Sequence, residues 1–161
     1  MKILITTEFY LPLECGVTTA VINLRRGLET LGHEVRILTI SGGNESYEKD
    51  GVYYIASKGK QLYQDSYYAI NRNIPIVKDV IKWKPDIINS HCEFFTLHFA
   101  KKIAKKLSIP IVQTCHTDFE SYGLHFMKSK GLWKFLVKTF VPLFIKQLKR
   151  IASNDIFQWN V

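Results

Sequence analysis

Within residues 1–31 two hydrophobic periods follow one another. Residues 1–7 form a β-rich apolar run with a single charge, Lys2, the pattern of a strand buried on both faces. Val17, Ala20, Val21, Leu24, Leu28 and Leu31 then recur at three- and four-residue spacing, which predicts a helix with one apolar face. The loop between them holds Pro12 and Gly16, and Thr18 or Thr19 is placed to cap the helix. A strand, a glycine-bearing loop and a helix aim free backbone N–H groups and a positive helix end at whatever lies above the strand, and a phosphate is the usual occupant. One glycine is a weaker signal than GxGxxG, so a plain βα turn that binds nothing is the competing reading.

The same alternation continues along the chain. Gly32 is placed to stop the first helix, and residues 33–40 (HEVRILTI) alternate as a second strand. Residues 41–51 read as a polar loop, 52–56 as a short strand, and 57–73, rich in Tyr and Gln with little period, as a further loop. Residues 74–83 predict a helix ended by Pro85, and 86–89 a buried strand. Residues 94–107 predict a helix with Phe99, Ala100, Ile103, Ala104 and Leu107 inward and Lys101, Lys102, Lys105 and Lys106 outward. Residues 108–114 are the next strand. Strands alternating with helices define an α/β class: a Rossmann-like parallel sheet with helices on both faces.

Ligands of such sheets gather beyond the carboxyl ends of the strands. Those ends are residues 8–16, then Ser90, His91, Cys92 and Glu93, then Cys115, His116, Thr117 and Asp118. A zinc site is not expected there, because adjacent residues leaving a strand point to opposite sides and no ligand pair has finger-like or helical spacing. No pattern around the cysteines matches a cysteine-enzyme signature, so Cys15, Cys92 and Cys115 read as small packing residues. His116 has two open readings: a loop residue of no chemical role, or a hydrogen-bonding group for a ligand hydroxyl or carbonyl.

Composition narrows this picture only modestly. A chain of 161 residues, 47% hydrophobic and 22% charged, is one ordinary globular domain with enough length for a real core. Residues 1–7 are too short for a secretory h-region, and no run of ~18 uncharged apolar residues exists to span a bilayer. Three cysteines without a CxxC suit a reducing cytoplasm. Charge changes the picture more. Residues 1–100 are neutral in sum, whereas 101–150 carry eleven basic side chains against Asp118 and Glu120, so the whole net charge of +8 arises in the last third. That asymmetry points to an anionic partner on one side of the molecule.

Residues 132–150 (LWKFLVKTFVPLFIKQLKR) concentrate it. Trp133, Val137, Phe140, Phe144 and Leu148 line one helical face, while Lys134, Lys138, Lys146 and Arg150 line another with Lys149 beside them. A wide apolar face joined to a purely cationic one is the composition of a helix lying in an anionic bilayer surface. The alternative is that the apolar face packs on the sheet and the lysines are merely solvated. Pro142 kinks or splits the helix in either case. The segment is too apolar to lie in a nucleic-acid groove, so no nucleic-acid partner is expected.

The stretch EFYLPLECGVTTAVINLRRGLETLGHEVRILT, together with KPDIINSHCEFF and IPIVQTCHTDF, resembles the N-terminal domain of retaining GT-B glycosyltransferases of family 4 over residues 1–150. The basic aromatic segment is similar to members that glycosylate lipid acceptors such as diacylglycerol. The resemblance implies one half of a GT-B fold, the acceptor-side half. It implies that the loop at Cys15, Gly16 and Val17 approaches the diphosphate of a sugar-nucleotide donor, a UDP-sugar, with one glycine where family members often have two. It implies that His116 lies beside the donor sugar in the interdomain cleft, with Asp118 a candidate to orient the acceptor. No cofactor or metal is implied beyond the donor substrate.

The family's donor-binding domain, with its Glu-x7-Glu pattern, has no counterpart in this sequence, and residues 151–161 read as a divergent, truncated or frame-shifted tail instead of the next strand. The expectation is a truncated hexosyltransferase domain, inactive alone, peripheral at the cytoplasmic membrane face, its missing half lost or supplied by a separate chain. Two rivals stand beside it. One is a non-catalytic module docking on a membrane or partner; the other is a different nucleotide-binding Rossmann enzyme, disfavoured by the lack of GxGxxG and of an acidic residue ending the second strand.

Overall fold

The computed structural model describes residues 1–57, 75–91 and 95–116, and the backbone of 157–160. Among these residues ten elements run in the order β1 (Lys2–Thr6), α1 (Gly16–Thr30), β2 (Glu34–Ile40), β3 (Tyr47–Lys49), β4 (Val52–Ile55), α2 (Pro75–Trp83), β5 (Ile87–Ser90), α3 (Phe95–Leu107), β6 (Ile111–Thr114) and β7 (Phe157–Asn160). They build one seven-stranded sheet in the order β3-β4-β2-β1-β5-β6-β7. Six strands are parallel, and only β3 runs antiparallel, against β4. This is the α/β parallel sheet that the alternating periods predict.

The helices divide between the two faces. On one face Leu4, Leu38, Tyr53, Ile55, Ile88 and Ile111 meet Ile76, Val77, Val80 and Trp83 of α2 and Phe99, Ala100, Ile103 and Ala104 of α3. On the other, Ile3, Ile5, Val35, Ile37 and Val52 meet Val21 of α1, with Val17, Leu24 and Leu28 packed at the margin. Side chains alternate across a strand, so β1 supplies Leu4 to one core and Ile3 and Ile5 to the other. That is why its sequence is apolar without interruption. Burying each such side chain contributes roughly 1.5–3 kcal/mol before conformational entropy is counted.

Four expectations need correction. Leu31, expected on the apolar face of α1, is 73% exposed, because the helix ends at Thr30 and Leu31 is its C-cap. Gly32 takes the left-handed conformation at φ 82° and turns the chain towards β2, as its position implies. The loop at 41–51 contains β3, a short edge strand exposed at all three residues, so it lacks the alternation that marks a half-buried strand. The strand expected over 108–114 begins only at Ile111, since Ser108 is left-handed (φ 55°) and closes α3. Finally, Phe157–Asn160 within the supposed tail forms β7, parallel to β6, and its Phe-Gln-Trp-Asn alternation has the period of two that a strand requires. The basic segment at 132–150 lies outside the described residues.

Candidate functional site

Buried polar side chains are costly unless something compensates them, so their distribution is informative. Among the described residues the buried polar set is Thr6, Thr7, Thr18, Thr39, Ser41, Ser57, Ser90, His91, Thr96 and Gln113. Every member lies at or just past the carboxyl end of a parallel strand, or in the first turn of the helix that follows. Below them the buried side chains of the strands are apolar. The register keeps these ends level, with Thr6 opposite Ser90 and Ser90 opposite Gln113. The polar floor therefore lies along the edge where an α/β sheet takes its ligands.

Of the helices that run from this edge, α1 and α3 differ at their N-termini. At α3 the carboxylate of Glu8, on the loop after β1, accepts the backbone N–H groups of Phe95 and Thr96. At α1 the N-cap is Cys15 in extended conformation, and no side chain caps the helix. The expectation that Thr18 or Thr19 caps α1 is overturned. The helix starts at Gly16, so both threonines fall inside its first turn, where their hydroxyls donate backward, Thr18 to the Leu13 carbonyl (2.8 Å) and Thr19 to the Cys15 carbonyl (3.2 Å). The first turn of α1 carries no acidic residue. A Cβ added to Gly16 would meet nothing within 4 Å. Among the described residues the N–H groups that open α1 thus have no side-chain cap, while those of α3 already have the Glu8 carboxylate.

His91 follows β5 and His116 follows β6, neighbouring strands, and their rings stack with centroids 4.9 Å apart and planes 22° from parallel. His91 Nδ1 and His116 Nε2 are 2.7 Å apart, a hydrogen-bond distance. The His91 ring is buried, and its backbone N–H donates to the Thr6 carbonyl, extending the β1–β5 ladder by one bond. Burial, with the neighbouring His116 adding to it, pushes the His91 pKa down to about 4. Burial also lowers that of the more exposed His116. Both rings are therefore neutral at pH 7.

Of the residues singled out from the sequence, Cys15, Gly16 and Val17 open α1, and His116 stands beyond β6 on the same sheet edge. Cys15 is half-buried with its sulfur 3.4 Å from the Thr18 hydroxyl, and Cys115 is also half-buried. Asp118, Cys92, Glu93, Trp133, Lys134, Lys138, Phe140, Lys146, Lys149 and Arg150 lie outside the described residues. Among those described, no three His, Cys, Asp or Glu side chains are grouped to hold a metal ion. No described helix is long and apolar enough to cross a membrane. Sequence reasoning placed Glu8 and His91 near the crevice but missed what they do. Glu8 reaches a helix 87 residues on, and His91 pairs across two strands whose adjacency only the sheet order reveals.

The fold is a Rossmann-like α/β sheet that carries the uncapped N-terminus of α1 and an imidazole pair along its carboxyl edge. Residues 15–154 match Glycosyltransferase Family 4, and the chain belongs to that family. It is 36% identical over 158 residues to an alpha-monoglucosyldiacylglycerol synthase of Acholeplasma laidlawii, covering 96% of this chain and 38% of that protein. A Streptococcus pneumoniae protein of the same description is 30% identical over 157 residues, covering 97% of this chain and 34% of that one. The chain thus spans little more than a third of the length of these two relatives. The catalytic domain of starch synthase IV from Arabidopsis thaliana, bound to ADP and acarbose, covers 72% of this chain and 34% of its own at 18% identity and a TM-score of 0.44, a likeness too low to carry an argument.

Proposed function

We propose that the chain is the acceptor-side half of a GT-B hexosyltransferase that uses a UDP-sugar and a membrane lipid, with a glycan acceptor as the alternative. The observation that carries this is the difference between the two helix ends. Glu8 fills the anion site of α3, whereas α1 presents Gly16 and Val17 with no capping side chain. A diphosphate is a fitting anion for that end, and His116 offers an imidazole on the same sheet edge for a sugar hydroxyl. Transfer with retention would draw on such fixed N–H dipoles to stabilise the departing diphosphate. The lipid acceptor is supported by the names of the two bacterial relatives and by the cationic, aromatic composition of 132–150, which suits peripheral attachment at an anionic cytoplasmic leaflet. Asp118 stays a candidate for orienting the acceptor, and a second chain or further sequence would supply the donor-binding half.

The test is an NMR titration of the chain with UDP-glucose, with NADH as the contrast for a dehydrogenase-like reading. UDP-glucose should bind with Kd of ~1 mM or weaker, about −4 kcal/mol, and perturb the amides of Gly16 and Val17 and the His116 ring. Perturbation confined to other residues, or tighter binding of NADH, would sink the proposal.

A further inference from the structure

The hydrogen bonding of the buried His91 ring is half complete. Nδ1 lies 2.7 Å from His116 Nε2, while Nε2 is buried with no hydrogen-bond partner among the described residues. Two neutral imidazoles can share one bond only if one donates and the other accepts, and each neutral ring carries a single N–H. If His91 accepts at Nδ1, its proton sits on Nε2 and a buried N–H is left without an acceptor. If His91 donates from Nδ1, Nε2 keeps only a bare lone pair. Orphaned buried N–H groups are the rarer and costlier defect, so the second arrangement prevails.

We infer that His91 is a positioning residue: by donating Nδ1–H to His116 Nε2, it fixes His116 as the Nδ1–H tautomer and turns that hydrogen-bond donor towards the ligand edge. His116 then meets its ligand as a neutral donor and not as a base. The ligand chemistry it suits is a hydroxyl or phosphoryl oxygen, which can accept. The pair is held rigidly enough for this: the His91 backbone is tied to Thr6 (2.8 Å), and the near-parallel rings restrict rotation of His116. That the ligand oxygen belongs to a donor sugar rests on the function proposed above; the tautomer itself does not.

The experiment is a long-range proton–nitrogen NMR correlation on the whole 161-residue chain labelled with ¹⁵N-histidine, at neutral pH. His116 should show a protonated Nδ1 and a bare Nε2, and His91 likewise. A protonated His116 Nε2, or a fast-exchanging mixture of tautomers, would overturn the inference on the unmodified chain, whatever the variants do. His91→Phe keeps a flat ring but removes the donor, and should release His116 to the Nε2–H form that free imidazole side chains prefer in water. His91→Asn can place an amide N–H where Nδ1 stands and should restore Nδ1–H. An unchanged His116 in folded His91→Phe would likewise overturn it. The expected tautomer without any UDP-glucose response at Gly16 would remove the donor-site reading proposed above and leave this one standing.

Discussion

Glu8 caps a helix from 88 residues away: its carboxylate accepts the backbone N–H of Thr96 at 3.2 Å and that of Phe95 beside it. One end of the loop leading into α1 is thereby bound to the start of α3. The bond is charge-assisted and lies at a helix N-terminus, where a carboxylate is favoured by the peptide dipoles. Glu8→Ala should cost about 1–2 kcal/mol of stability, the range for losing a helix cap. In a domain of this size that lowers Tm by ~2–4 °C per kcal/mol. Glu8→Gln keeps an acceptor but loses the charge and should fall between. Urea unfolding of both variants is the measurement, and an alanine variant within ~0.3 kcal/mol of the parent would refute the cap.

The His91 ring makes stability depend on pH in a stated direction. Its folded pKa, near 4, lies below the ordinary value of 6.5, so the unfolded chain binds a proton that the native chain rejects. The contribution is complete above about pH 6.5 and drains away as pH falls towards 4. His116 adds a smaller loss of the same sign. A shift of this size corresponds to about 3 kcal/mol. His91→Asn cannot titrate, so its unfolding free energy should lose less between pH 7 and pH 4.5 than that of the parent. Parallel curves for the two proteins would show that His91 is not held neutral by the fold.

The sheet and its helices were largely legible because their signals are local. The outward lysines and inward Phe99, Ala100 and Ile103 of α3 repeat within three or four residues, and β1 announces its double burial in consecutive apolar positions. The candidate site was legible only in outline. Strand ends point to His91 and His116, but their 2.7 Å contact needs β5 beside β6, and sheet order is not written in any one stretch. The Glu8 cap is equally non-local. At α1 the threonines looked like caps because Ser, Thr and Asp usually are, yet the helix reaches past them to Gly16.

The variant Gly16→Ala tests the proposed binding site apart from folding. The Cβ position of Gly16 is open and its backbone needs no left-handed conformation, so Gly16→Ala should fold as well as the parent or gain up to ~1 kcal/mol. Under the proposed function a donor diphosphate lies against this end of α1, and the added methyl would crowd it. Titrated with UDP-glucose, the variant should bind about tenfold more weakly, a loss of ~1.4 kcal/mol. Unchanged affinity would place the anion elsewhere on the molecule.

The charge excess of residues 101–150 bears on the membrane proposal. Vesicles containing anionic lipid should bind the chain, and rising salt should release it, because attraction between exposed charges is screened beyond ~8 Å at physiological ionic strength. Each basic residue near such a surface contributes ~1 kcal/mol. Replacing Lys134 and Lys138 by Glu reverses two of these charges and should weaken attachment at least tenfold without lowering Tm. Equal binding to neutral and anionic vesicles would leave the apolar face as the sole attraction and remove the electrostatic one.

The 161-residue chain on its own should transfer no sugar. Under the proposed function the donor and acceptor meet between two domains, and this chain supplies one wall. Holding reactants in attack geometry can account for ~7–11 kcal/mol of a barrier, so an open half-site loses far more than affinity. What the described residues offer a diphosphate is the N-terminus of α1 and one neutral imidazole, with water free to reach both. At ~4 Å a charged contact is worth about 1 kcal/mol in bulk water, against several in a closed, drier site. A radiolabelled transfer assay with UDP-glucose and diacylglycerol vesicles should therefore stay at background for the isolated chain. It should rise only when a donor-binding domain is added or fused. Turnover by the chain alone, abolished by His116→Ala, would show that one Rossmann-like half suffices for catalysis and would overturn the acceptor-side reading.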